Sequence, residues 1–142
     1  MRARAITVPL LVAAIGSTGA AVAQGAAKSS SSFTVKMSGS VEVPKGAPHG
    51  GGTATITVKK ATKQLCWSFH VTGVTGPTAS HIHAGAAGVA GPVVIPLGGK
   101  YKPSGCTTAT PALLGKIVAA PKKYYVNIHN AKYPGGAVRA QL

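Results

Sequence analysis

The chain is 142 residues long and sets 15 Lys and Arg against a single acidic residue, for a formal net charge of +14. That balance excludes carboxylate chemistry: there is no acid pair for glycoside hydrolysis, no oxygen-rich cage for calcium and no Asp for a Ser-His-Asp triad. It favours anionic partners, such as an acidic cell-surface polymer or protein, although a plain solubility role would produce the same composition.

Arg2 and Arg4 open the sequence, Val8 to Val22 is largely apolar and small, and Ala21-Val22-Ala23 gives a small-x-small pattern ahead of Gln24. These features predict an export signal over 1–23, removed by cleavage. No later segment approaches the roughly 20 apolar residues of a spanning helix, so no transmembrane segment is expected after cleavage. The mature chain would carry about +12 once Arg2 and Arg4 are gone. Its expected location is secreted, extracellular or periplasmic. A small polar linker over 24–32 is expected to be disordered, and 33–142 to form one β domain.

Phe33, Val35, Met37, Val41 and Val43 alternate with polar residues, which predicts a half-buried first strand. Pro44 to Gly52 reads as a turn. In the second strand Ala54, Ile56 and Val58 alternate with Thr53, Thr55, Thr57 and Lys59. In the third, Leu65, Trp67, Phe69 and Val71 face in, while Cys66, Ser68 and His70 face out. Gly73, Gly76 and Pro77 break the chain before the strand containing His81-Ile82-His83. A Gly/Ala-rich loop, a short strand over 92–97 and a long loop over 98–110 follow. Thr110-Pro111 resembles an N-cap with proline in the first helical position, and Leu113, Leu114, Ile117 and Val118 give one helical face before Pro121. Strands over 124–129 and 138–142, with a turn over 133–136, complete an all-β fold: an antiparallel, Greek-key-like sandwich or barrel with one short helix. Cys66 and Cys106, the two cysteines of the chain, suit a structural disulfide in an exported protein. The rival reading, a pair of soft metal ligands, lacks a CxxC spacing.

The alternation of a strand puts His81 and His83 on one face, with Ile82 on the other. By the same rule Tyr125, Asn127 and His129 share a polar face, while Val126 and Ile128 point to the core. Three imidazoles on the outer face of neighbouring strands point to a copper or zinc site with His81, His83 and His129 as ligands and Tyr125 and Asn127 behind them. The competing reading makes the imidazoles structural, hydrogen-bonded to the backbone of the 84–91 loop. His49, on a turn, is a candidate fourth ligand, and His70 reads as an exposed residue. No catalytic residue is assigned.

The motifs Gly39-Ser40-Val41-Glu42-Val43-Pro44, Gly51-Gly52-Thr53-Ala54, Leu65-Cys66-Trp67, Ala79-Ser80-His81-Ile82-His83-Ala84-Gly85, Gly91-Pro92-Val93-Val94, Tyr125-Val126-Asn127-Ile128-His129 and Pro134-Gly135-Gly136-Ala137-Val138-Arg139-Ala140-Gln141-Leu142 occur in this order. Together they make the chain resemble the CHRD domain, a module named from chordin and found alone in secreted bacterial proteins. The resemblance implies an extracellular β domain and no settled enzymatic activity. The family's ending usually carries an acidic residue where Ala137 stands here, which leaves Glu42 as the remaining acid that could pair with Arg139. The chain is also loosely similar to copper-zinc superoxide dismutases, with their His-x-His strand, loop disulfide and arginine near the metal. It lacks the His and Asp of their zinc subsite, so a copper-dependent oxidoreductase is the third reading. The first is a secreted module holding copper or zinc. The second is a metal-free interaction module that binds a polyanion or protein through its basic surface. Aromatic residues are 5% of the chain, too few for a base-stacking platform, so no specific nucleic-acid readout is expected.

Overall fold

The computed structural model describes residues 30–142. The expected signal at 1–23 and the first part of the expected linker, 24–29, lie outside the described residues. Eight strands form a single antiparallel sheet: β1 (Ser30–Ser38), β2 (Gly51–Lys59), β3 (Gln64–Thr72), β4 (Pro77–Ala84), β5 (Val93–Pro96), β6 (Ser104–Thr108), β7 (Tyr124–Asn130) and β8 (Val138–Gln141). Their order across the sheet is β5-β4-β7-β8-β1-β2-β3-β6, nearly closed on itself. The all-β expectation therefore holds.

Period-two alternation explains the packing. Ala54, Ile56 and Val58 of β2 and Leu65, Trp67 and Phe69 of β3 are buried in the same cluster as Ile82 of β4, Val126 and Ile128 of β7, and Val138 and Ala140 of β8. The inner faces of both halves of the sheet thus share one core, in which each fully buried Val, Leu or Ile contributes about 1.5–3 kcal/mol. One helix, α1 (Pro111–Ala119), covers it with Leu114 and Ile117. Thr110 caps α1 by accepting from the Leu113 N–H at 3.3 Å, with Pro111 in the first turn, as the sequence predicts.

The structure differs from the sequence reading at three places. β1 starts at Ser30 rather than Phe33 and stops at Ser38, where a 3-10 turn over Gly39–Val41 replaces the expected continuation to Val43. A Cβ at Gly39 would overlap the Ala47 carbonyl, so the backbones meet too closely for a straight strand to continue. As a result Val41 and Val43 are exposed, at 52% and 36%, while Glu42 turns inward. The third difference is β6, which lies in the expected long loop and pairs with β3, Cys106 opposite Cys66. Gly105 fits there because the Trp67 ring fills the space a side chain would take. Cys66 and Cys106 form the expected disulfide, between the strands β3 and β6.

Candidate metal centre

The register of three adjacent strands assembles the site. β4 pairs with β7 so that His81 lies opposite Asn127 and His83 opposite Tyr125, with Ala79 opposite His129. β7 in turn pairs with β8, placing Asn127 opposite Arg139 and Tyr125 opposite Gln141. Side chains directly opposite one another stand close to the inter-strand spacing of about 4.8 Å. His83 accordingly stacks on Tyr125, with ring centroids 4.7 Å apart and planes at 8°. The Arg139 guanidinium lies 3.3 Å over the same Tyr125 ring.

His81, His83 and His129 converge, with one nitrogen from each ring within 4.8 Å of the others. They lie on the sheet face away from the core, as the alternation predicts, but they are not free in solvent. His83 is 7% exposed, and His81 and His129 are half-buried. The cover is the 84–92 loop, fastened to the sheet by several polar side chains. Arg139 donates to the Val89 and Ala86 carbonyls, both at 2.8 Å. Gln141 donates to the Gly85 carbonyl at 2.8 Å, and the Gly91 N–H donates to the Tyr125 hydroxyl at 3.1 Å. Gly91 itself is obligatory, since a Cβ there would overlap the Ala84 carbonyl.

Two backbone carbonyls set the tautomers. His83 Nδ1 donates to the Gly91 carbonyl at 2.8 Å, and His129 Nδ1 donates to the Pro134 carbonyl at 2.9 Å. A carbonyl only accepts, so each neutral ring carries its proton on Nδ1 and offers a lone pair at Nε2. His83 Nε2 is buried and has no hydrogen-bond partner. His129 Nε2 stands 3.0 Å from His81 Nδ1 and 2.9 Å from Asn127 Oδ1. Burial, reinforced by the neighbouring His129 and His83, pushes the His81 pKa down to about 4. Burial also lowers that of His129, against the opposing pull of the Pro134 carbonyl. Both rings are neutral at neutral pH, the state in which imidazole ligates metals.

This donor set fits a borderline divalent ion. Three neutral imidazole nitrogens with further room are the ligand set of an open site, for which zinc–nitrogen distances of about 2.0–2.1 Å place the nitrogens roughly 3.3 Å apart. The His81–His129 separation of 3.0 Å is already near that value, and the nitrogens of all three rings lie within 4.8 Å of one another. Tyr125 and Asn127 are buried beside the imidazoles, at 3% and 1% exposure. His49 is not among the converging residues: it is exposed and lines a separate cavity with Asn130, Lys132 and Tyr133. His70 is exposed on β3. Sequence reasoning missed the Gly91 and Pro134 carbonyls, because a backbone acceptor leaves no signal in residue type. The glycine and proline punctuation around them was its nearest trace.

Glu42 and Arg139 do not form the direct ion pair that the sequence invites. The guanidinium is taken by the loop carbonyls, and the carboxylate sits against Gly136, where a Cβ would overlap it. Burial raises the Glu42 pKa above the usual carboxylate value, opposed by the charge of Arg139, the Val43 backbone and the Asn127 side chain. A family model described as CHRD domain matches residues 33–142. The chain belongs to the CHRD-domain family. No curated protein and no solved structure matches it. The CHRD match covers β1 from Phe33 and all of β2 to β8, so the histidine cluster and its covering loop are built on the family's own framework.

Proposed function

We propose that this CHRD domain is an exported metal-binding module that holds one copper or zinc ion between His81, His83 and His129. The observation that carries this reading is the pair of Nδ1 protons given to Gly91 and Pro134, which leaves two Nε2 lone pairs, that of His129 3.0 Å from His81 Nδ1 and that of His83 buried and unpartnered. A buried polar atom left without a partner costs about 1–3 kcal/mol, a cost that ligation removes. On intrinsic affinity copper(II) outcompetes zinc at such a site. The disulfide suits an oxidising compartment, and among the described residues no helix is long and apolar enough to cross a membrane.

The test is metal uptake by chelator-stripped protein, followed by equilibrium dialysis and elemental analysis with copper(II) and zinc(II) separately. One ion per chain is expected. His81→Ala, His83→Ala and His129→Ala should each weaken uptake at least about 100-fold while keeping a cooperative unfolding transition. Uptake that survives these substitutions, or no stoichiometric uptake at all, overturns the reading.

One observation favours a second activity, an electrostatic interaction surface. Every lysine from Lys36 to Lys132 is exposed, whereas Glu42 is 4% exposed, so the described surface presents cationic side chains and no acidic one. Retention on an anionic polymer resin, released steeply by added salt, is the expected signature.

A further inference from the structure

The strand register places Asn127 next to all three imidazoles. It stands directly opposite His81 in the β4–β7 pairing and diagonal to His83, whose own partner is Tyr125. It also lies two positions before His129, on the same face of β7. Its side chain is 1% exposed, and the amide turns its oxygen into the cluster, with Oδ1 at 2.9 Å from His129 Nε2. That contact has no proton to hold it together. His129 gives its Nδ1 proton to the Pro134 carbonyl, so Nε2 presents a lone pair, and an amide oxygen carries only lone pairs. Two acceptors at hydrogen-bonding distance repel.

Nothing at the other end of the amide offsets this, because Nδ2 is buried and has no hydrogen-bond partner. Turned end for end, Nδ2 would donate to His129 Nε2 and satisfy both groups. The orientation found is favourable with a positive centre between the two acceptors. A proton there would bridge this pair alone, whereas an ion also takes up the buried, unpartnered Nε2 of His83. The spacing narrows the choice of ion. Ligands held at about 2.0–2.1 Å from one ion are about 3.3 Å apart at tetrahedral angles and about 2.9 Å apart at right angles. His129 Nε2 is 3.0 Å from His81 Nδ1 and 2.9 Å from Asn127 Oδ1, both closer to the right-angle value. Right angles between nitrogen and oxygen donors are the arrangement of tetragonal copper(II).

We propose that Asn127 is itself a metal ligand, its Oδ1 joining His81, His83 and His129 in a donor set of three nitrogens and one oxygen around a single copper(II) ion. The inference rests on the metal-binding reading above and chooses between its two metals. It also gives a reason for an amide at this position: a neutral oxygen donor adds a fourth bond to the ion without burying a charge.

The experiment loads the unaltered protein with one equivalent of copper(II) and records its pulsed electron paramagnetic resonance spectrum in D2O. Four protein ligands leave no equatorial place for solvent, so no strong deuteron coupling is expected. Asn127→Leu keeps the volume and removes the oxygen. It should admit a solvent ligand, seen as that coupling, and weaken copper(II) about 10–100-fold in competition with a chromogenic chelator. An equatorial solvent ligand in the unaltered protein, or identical spectra for it and Asn127→Leu, overturns the ligand role while the metal site stands. Thermal unfolding in chelator reports whether each variant folds. If Asn127→Leu does not, Asn127→Asp decides, since it keeps the shape and the donor atom but charges the oxygen. A shifted copper spectrum then supports direct ligation, and an unshifted one overturns it. Failure of the unaltered protein to take up copper(II) removes the metal site itself.

Discussion

The outer face of the sheet consists of two halves that follow the same alternation and end differently. On β1, β2, β3 and β6 it carries short hydroxyls beside Lys36, His70 and the Cys66–Cys106 disulfide. Ser32 meets Thr57 at 3.2 Å and Thr34 meets Thr55 at 3.1 Å, both pairs exposed. On β4, β7 and β8 the outward residues include His81, His83, Tyr125, Asn127, His129, Arg139 and Gln141; the 84–92 loop is bonded to His83, Tyr125, Arg139 and Gln141, and His129 to the Pro134 carbonyl. Hydroxyls exposed to water satisfy themselves there, so that half needs no cover and gains little from its contacts. Long polar groups beneath a loop must find partners within the protein, and those left without one, such as His83 Nε2, keep a free lone pair. The lesson concerns polarity under cover: unpartnered polar atoms arise where outward-facing residues are buried a second time.

Removing Arg139 should break the comparison most sharply. Arg139→Met keeps the stem over Tyr125 but leaves the Val89 and Ala86 carbonyls without their charged donor. We expect a loss of about 3–5 kcal/mol, read as a lower urea midpoint at unchanged m-value. A loss below about 1 kcal/mol would mean the loop does not depend on this residue for its cover.

A smaller effect should appear in the pH dependence of the metal-free protein. The His81 pKa is pushed down to about 4 in the folded state against an ordinary 6.5. The unfolded chain therefore takes up the proton first as pH falls. The stability associated with the neutral ring is complete above about 6.5 and is lost progressively toward about 4. His129 acts in the same direction. Glu42 acts in the opposite one: its raised pKa contributes stability at low pH that fades as pH rises through the folded value. Melting temperatures measured in chelator should fall between pH 6.5 and 4, with a shallower slope in His81→Ala. Equal slopes would remove the burial account of that ring.

The smallest change belongs to the hydroxyl half. Thr55→Val removes the exposed bond to Thr34 and retains a β-branched side chain, so stability should stay within about 0.5 kcal/mol of the parent. A larger loss would mean the two halves are less different than their exposure indicates.

Much of the frame was legible because alternation is a local code. β2, β3 and β7 follow their apolar pattern, and the cap and stop signals of α1 lie where the structure uses them. The errors arose where a long-range contact overruled the pattern. Val41 and Val43 continue the alternation of β1 in sequence, but the approach of Gly39 to Ala47 ends the strand and leaves both valines exposed. Ser104-Gly105-Cys106 lacks strand-forming residues, and pairing with β3 makes it a strand nonetheless. For the candidate site, residue types and their common face were legible. The turning-in of Glu42 and the loop over His83 were not, because each depends on partners tens of residues away.

By itself the amino-acid order determined which residues face the core, which share the outer face, and that an almost acid-free chain leaves imidazole as its main means of binding metal. Those properties depend on spacing of two along a strand and on side-chain chemistry, and both are local. Only the tertiary structure decided that His81, His83 and His129 meet, that Gly91 and Pro134 hold the protons of His83 and His129, and that Glu42 is buried against Gly136. Each of these requires strands and loops distant in the chain to come within hydrogen-bonding reach, a matter of register and loop closure that no single stretch encodes.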